Sequence, residues 1–145
     1  MARRPSGSPP QSHENQNTDR TPPHNADAER SLLGSLLRDN TVISDCVVIV
    51  KPDHFYDSAN RLIYESIASL FDNGKPVDIV VLAEDLKQKG HIEEIGGYGY
   101  LAELWDSTAT AANSEYNAKI VRDKGVLRNQ ITTGNEILRE AYGAA

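Results

Sequence analysis

The sequence predicts an all-α protein: a polar, disordered N-terminal tail, a compact multi-helix globular head, and one long helix after it. Three observations lead there. First, the composition changes sharply near residue 25. Residues 1–25 contain no Leu, Ile, Val, Phe, Tyr or Trp and hold Pro5, Pro9, Pro10, Pro22 and Pro23, five of the seven prolines. A stretch without apolar side chains cannot offset the entropy of being ordered. Second, apolar residues recur at helical spacing through most of the chain after residue 25. Third, residues 114–142 contain no proline and no strong break, a length far above the usual mean of about 11–12 residues for a helix. The expected division is 1–24 tail, 25–113 head and 114–145 long helix.

Residues 26–38 form the first helix, with Asn25 as N-cap, Asp27 and Glu29 at the positive end of the helix dipole, and Leu32, Leu33, Leu36 and Leu37 on one face. Residues 41–50 also read as helix, since Val42, Ile43, Cys46, Val47 and Val50 fit that spacing. The run Val47-Val48-Ile49-Val50 would suit a strand, but no second strand of equal strength exists to pair with it. A turn at Lys51-Pro52-Asp53 precedes a helix capped by Asp57 or Ser58, carrying Leu62, Ile63, Ile67, Leu70 and Phe71, and stopped at Asn73-Gly74. Asp78 caps a helix over residues 79–89, closed by Gly90. A short piece over residues 92–95 ends at Gly96-Gly97, and a further helix covers residues 98–105.

In the long C-terminal helix one stripe recurs at near-heptad spacing: Ile120, Leu127, Ile131, Gly134, Leu138 and Ala141. A helix of this length projects beyond a small domain, and its outer stripe needs a partner. Ile120, Leu127, Ile131, Gly134 and Leu138 are therefore the expected oligomer interface, with Gly134 on the seam where another helix can approach closely; the alternative is that the whole stripe packs on its own domain. Lys124 also falls on the stripe, and Gly125 and Gly134 each weaken the helix by about 1 kcal/mol relative to Ala.

Composition limits function. Of the formal charge of −6, the first 25 residues contribute +1 (Arg3, Arg4 and Arg20 against Glu14 and Asp19), so the body carries −7. That is a poor match for a phosphate backbone and disfavours a direct nucleic-acid binder. Cys46 is the single cysteine, so no intramolecular disulfide forms. The basic start lacks a signal-peptide core, and the longest apolar run is too short to span a bilayer, so the expectation is a cytoplasmic protein with no membrane partner. No G-x-x-x-x-G-K-[ST] is present. Gly96-Gly97-Tyr98-Gly99 follows no convincing strand and reads as an interhelical turn. His13, His24, His54 and His91 lack metal-ligand spacing. Cys46 reads as a core residue; Asp53, Asp57, Glu93 and Glu94 as caps and solvated positions; Tyr100 and Trp105 as core. No catalytic residue, cofactor site or metal site is expected.

Several segments in series resemble the N-terminal region of bacterial replicative DNA helicases of the DnaB type. These are Pro22-Pro23-His24-Asn25-Ala26-Asp27-Ala28-Glu29-Arg30-Ser31-Leu32-Leu33-Gly34; Asp53-His54-Phe55-Tyr56 with Arg61-Leu62-Ile63-Tyr64; Gly74-Lys75-Pro76-Val77-Asp78; Ile95-Gly96-Gly97-Tyr98-Gly99-Tyr100-Leu101; and Ala111-Ala112-Asn113-Ser114-Glu115-Tyr116 with Ile120-Val121-Arg122-Asp123. The resemblance implies a helical head followed by a helical hairpin whose first arm is residues 114–142. It implies dimers within a hexameric ring, docking of primase, and a helicase loader as a further candidate partner. It also implies ATP-driven unwinding of duplex DNA, with ATP, magnesium and single-stranded DNA bound by a RecA-like ATPase domain. The second arm and the ATPase domain have no counterpart before Ala145, so the chain is expected to be a fragment or truncated product. The competing expectation is a stand-alone adaptor with the same fold that binds helicase or primase.

Overall fold

The Asn25 side chain accepts the Ala28 N–H at 2.9 Å, and the chain turns into helix at that point. From there the computed structural model, which describes residues 21–108 and 110–144, is helical throughout, with no strand among the described residues. Its six α-helices are α1 Ala26–Arg38, α2 Ile43–Val47, α3 Ser58–Asp72, α4 Ile79–Gln88, α5 Gly97–Asp106 and α6 Ser114–Gly143. Short 3₁₀ turns lie at Asn40–Val42 and Pro52–His54. Of the segment 1–24 expected to be disordered, residues 1–20 lie outside the described residues, and 21–24 lie on the head.

α1 is the central helix. Leu32, Leu33, Leu36 and Leu37 are all buried, and the helix packs against α3, α5 and α6. Gly34 sits where α1 meets α5; a Cβ there would collide with the Leu104 carbonyl and the Thr108 hydroxyl. Ile63, Ile67 and Leu70 of α3, Leu82 and Leu86 of α4, and Leu101 and Leu104 of α5 complete one core.

Caps set the boundaries. The Asp57 carboxylate accepts the N–H groups of Ala59 and Asn60, and that of Asp78 accepts Val81 N–H. Gly74 ends α3 at φ +71, with its own N–H donating to Phe71 O and that of Lys75 to Leu70 O, the paired bonds of a Schellman turn. Gly90 closes α4 in the same way through Lys87 O and Leu86 O.

One segment differs from the expected helices. Residues 41–50 are not one helix but a 3₁₀ turn and a five-residue α-helix. The Asp39 carboxylate captures the Thr41 N–H and hydroxyl, which starts the turn, and the chain leaves helical geometry after Val47. Leaving the helix there buries Val50, whose carbonyl accepts the Tyr64 hydroxyl at 2.7 Å, and leaves Val48 75% exposed. Residues 92–95 form a turn, with Ile95 buried. Trp105 is only partly buried: the Arg38 guanidinium lies 4.7 Å from its ring centroid, and Arg38 Nε donates to its carbonyl. Cys46 is fully buried, and that burial pushes its thiol pKa up against a hydrogen bond with Ser114.

Candidate assembly interface

α6 is 30 residues, or about 45 Å at 1.5 Å per residue. Its first half and its second half have different surroundings. In the first half Ser114, Ala118, Val121 and Gly125 recur at intervals of four, three and four and form a single buried stripe. The side chains are small, so the helix backbone lies close to α1, α2 and the Pro52–His54 turn. At Gly125 this closeness is extreme: a Cβ would stand 2.7 Å from His54 Cα. The helix runs through Gly125 without a break.

Arg128 ends the buried stripe. Its Nη1 donates to Pro23 O at 2.9 Å and its Nη2 to His54 O at 2.8 Å. Its guanidinium lies 5.5 Å from the Tyr56 ring centroid, and the other partner of that ring is His24, stacked at 4.2 Å and 21°. Burial, then the Arg61 cation, lowers the Arg128 pKa, opposed by the Glu29 carboxylate.

The loop beneath Arg128 is held by Glu29. This carboxylate is 2% exposed and accepts hydrogen bonds from Tyr56 N–H at 2.7 Å, Asp57 N–H at 3.3 Å and Asn60 Nδ2 at 3.0 Å. It therefore sits at the positive end of α3. The Tyr100 hydroxyl donates to Asn60 Oδ1 at 2.5 Å, tying α5 into the same network. Burial raises the Tyr100 pKa to about 12. Arg61 Nη2 donates to Phe55 O, so two guanidiniums from two helices grip consecutive carbonyls.

His54 Nδ1 accepts the Lys51 N–H at 2.9 Å, which assigns the neutral ring with its proton on Nε2. Its pKa is lowered by burial first, then by Arg128, with Arg122 and Lys51 adding and Asp53 opposing. A base whose folded pKa lies below its unfolded value of about 6.5 resists protonation only in the folded state. This contribution is complete above that value and is lost as pH falls from it toward the folded pKa. The midpoint of urea unfolding is therefore expected to fall between pH 7.5 and 5.5, and His54→Asn is expected to flatten that decline. An equal decline in the variant would refute the assignment.

Beyond Arg128 the helix leaves the head. Leu127, just before that point, and Ile131 and Leu138, past it, are 44%, 50% and 57% exposed, and nothing lies within 4 Å of a Cβ built on Gly134. These four lie about a third of a turn round from the buried stripe. Ile120, further back, is partly buried against the head. The structure thus separates Ile120 from the other expected interface residues and leaves those four facing outward together. Sequence reasoning missed a second exposed strip, Val126 and Ile137, about a third of a turn to the other side. Their spacing of 11 residues is about three turns, a signal a heptad template does not catch.

Among the described residues no group of three or more His, Cys, Asp or Glu side chains could hold a metal ion, and no helix is long and apolar enough to cross a membrane. A helical head with one projecting helix matches solved structures. The crystal structure of the N-terminal domain of DnaB helicase from Mycobacterium tuberculosis has a TM-score of 0.81 at 35% identity, covering 84% of this chain and 88% of that one. The structure of a DnaB-like replicative helicase and its interactions with primase gives 0.73 at 27% identity, covering 81% of this chain and 28% of that one. The N-terminal domain of DnaB helicase from Helicobacter pylori, at 20% identity and a TM-score of 0.70 over 80% of this chain and 90% of that one, shares the fold. The class is that of helicase N-terminal helical domains.

The chain belongs to the DnaB-like helicase N-terminal domain family, whose model matches residues 21–123. It is 38% identical over 125 residues to the replicative DNA helicase DnaB of Geobacillus stearothermophilus, covering 86% of this chain and 28% of that protein. It is 38% identical over 124 residues to the replicative DNA helicase DnaC of Bacillus subtilis, covering 86% of this chain and 27% of that protein. The chain spans less than a third of the length of these curated relatives.

Proposed function

We propose that this chain is the non-catalytic assembly and primase-docking domain of an ATP-dependent replicative DNA helicase that works as a hexameric ring. The observation that carries the assembly role is the contrast along α6. Its first half is seated on the head by one buried stripe, whereas Leu127, Ile131 and Leu138 are exposed on a separate face. An amphipathic helix leaving a domain with its apolar face bare is suited to another helix. The two strips on either side of the outer half suit two helical neighbours, the second arm of a hairpin and the arm of a partner protomer. Primase docking is supported by the solved DnaB-like replicative helicase described with its interactions with primase, and the acidic head offers the surface for it. In this reading ATP, magnesium and single-stranded DNA belong to a separate ATPase domain, and a helicase loader is a further partner.

Sedimentation equilibrium of residues 22–145 over a concentration series tests the assembly role. The expected result is reversible self-association. Leu127→Asp or Ile131→Asp is expected to weaken it at least tenfold, on the order of 1.4 kcal/mol or more, with helicity and melting of the head unchanged. A strictly monomeric parent, or unchanged association in both variants, would refute the role given to this stripe.

A further inference from the structure

We infer that residues 22–24 are a strap which, through Arg128, fixes the angle at which α6 leaves the head. The inference stands on contacts within one chain and does not depend on self-association.

The elbow of the molecule lies where the buried stripe of α6 ends. Up to Gly125 the helix is held by close packing. At Arg128 packing gives way to polar contacts, and no hydrogen bond from α6 to the head lies beyond Arg128 among the described residues. Past this residue the helix continues for 15 residues, about 22 Å. A rotation of about 10° at the elbow would carry its far end through about 4 Å.

Arg128 ties together two segments that are far apart in sequence. One arm of its fork holds Pro23 O and the other holds His54 O. A planar guanidinium can bridge two carbonyls at fixed geometry, whereas an ammonium on a flexible stem cannot do so with the same rigidity. Tyr56 is clamped between this guanidinium and the His24 ring, and its own N–H is held by the buried Glu29 carboxylate. The strap is thus anchored in the head at one side and holds the helix at the other. Pro22 and Pro23 have nearly fixed φ, so ordering this segment loses little backbone entropy. His24 Nδ1 lies 2.8 Å from Pro22 O, which turns the ring onto Tyr56. These contacts are exposed or half-buried, so they set direction without carrying the core.

The test is a distance distribution between spin labels in the full chain. Labels are placed at Glu84→Cys on α4 and Glu140→Cys near the end of α6; Cys46 is buried and stays unlabelled. Excess unlabelled protein isolates distances within one chain. The parent is expected to give a narrow distribution. Arg128→Ala is expected to at least double its width, and Arg128→Lys to broaden it despite keeping the charge. His24→Ala removes the stack on Tyr56 and the contact to Pro22 O and leaves the core intact, and it is expected to broaden the distribution as well. Melting curves confirm that each variant is folded. Unchanged width in both His24→Ala and Arg128→Lys would overturn the inference, even if Arg128→Ala failed to fold.

Discussion

Replacing Glu29 by Ala is expected to lower the free energy of unfolding by about 4 kcal/mol, a large part of the total for a domain of this size. The carboxylate is almost wholly buried and accepts from three donors, two of them backbone N–H groups just ahead of α3. Truncation leaves all three without that acceptor, the Asn60 amide in a buried site and the two backbone N–H groups in a half-buried one. Each buried donor left unpaired costs about 1–3 kcal/mol, more when its lost partner was charged. Ala is a slightly better helix former than Glu, by a few tenths of a kcal/mol, which does not offset this. Glu29→Gln retains one accepting oxygen and is expected to lose about half as much. Urea unfolding with an unchanged slope measures both. A loss under about 1 kcal/mol for Glu29→Ala would mean that the Phe55–Asp57 loop is held by other contacts.

Gly125→Ala and Gly134→Ala are expected to have opposite signs. On an isolated helix both would stabilise by about 1 kcal/mol. At Gly134 nothing lies within 4 Å of the added methyl, so that gain is expected in dilute, monomeric protein. At Gly125 the methyl would meet His54 Cα at 2.7 Å and His54 Cβ at 2.9 Å. The backbone cannot yield as a flexible side chain tip can, and overpacking of this kind costs about 1–3 kcal/mol or more. Net destabilisation by about 2 kcal/mol is expected for Gly125→Ala, with weaker contact between α6 and the Pro52–His54 turn. A stabilised Gly125→Ala variant would show that the first half of α6 is not seated as described.

The parts of the fold legible in the sequence were those written in neighbouring residues. Asn25, Asp57 and Asp78 cap helices that start where the residues after them turn amphipathic, and Gly74 and Gly90 stop helices by a local backbone rule. The outward face of α6 was legible for the same reason, since Leu127, Ile131 and Leu138 recur on one helical period. Features created by distant partners were not legible. Glu29 reads as an ordinary first-turn acid, because its donors are 27, 28 and 31 residues away. Gly125 reads as a weak point in a long helix, whereas its missing side chain is the condition for docking on His54. Arg128 has no local signal to mark it, since Pro23 O, one of its two acceptors, is 105 residues away. The run Val47-Val48-Ile49-Val50 misled in another way: its composition does not reveal that Val50 is wanted in the core and Val48 is not.

The uninterrupted course of α6 has a consequence for how its amide protons exchange with solvent. Starting a helix is the unfavourable step, and extending it is comparatively easy. The seated turns from Ser114 to Arg128 provide that start, and the outer turns are templated from them. Protection in the outer half is therefore borrowed. It should decline progressively from Arg128 toward Gly143, because fraying from the free end needs no rupture of the head. Any partner that covers Leu127, Ile131 and Leu138 would convert this gradient into a plateau, making amide exchange along a single helix a direct record of when the domain is engaged.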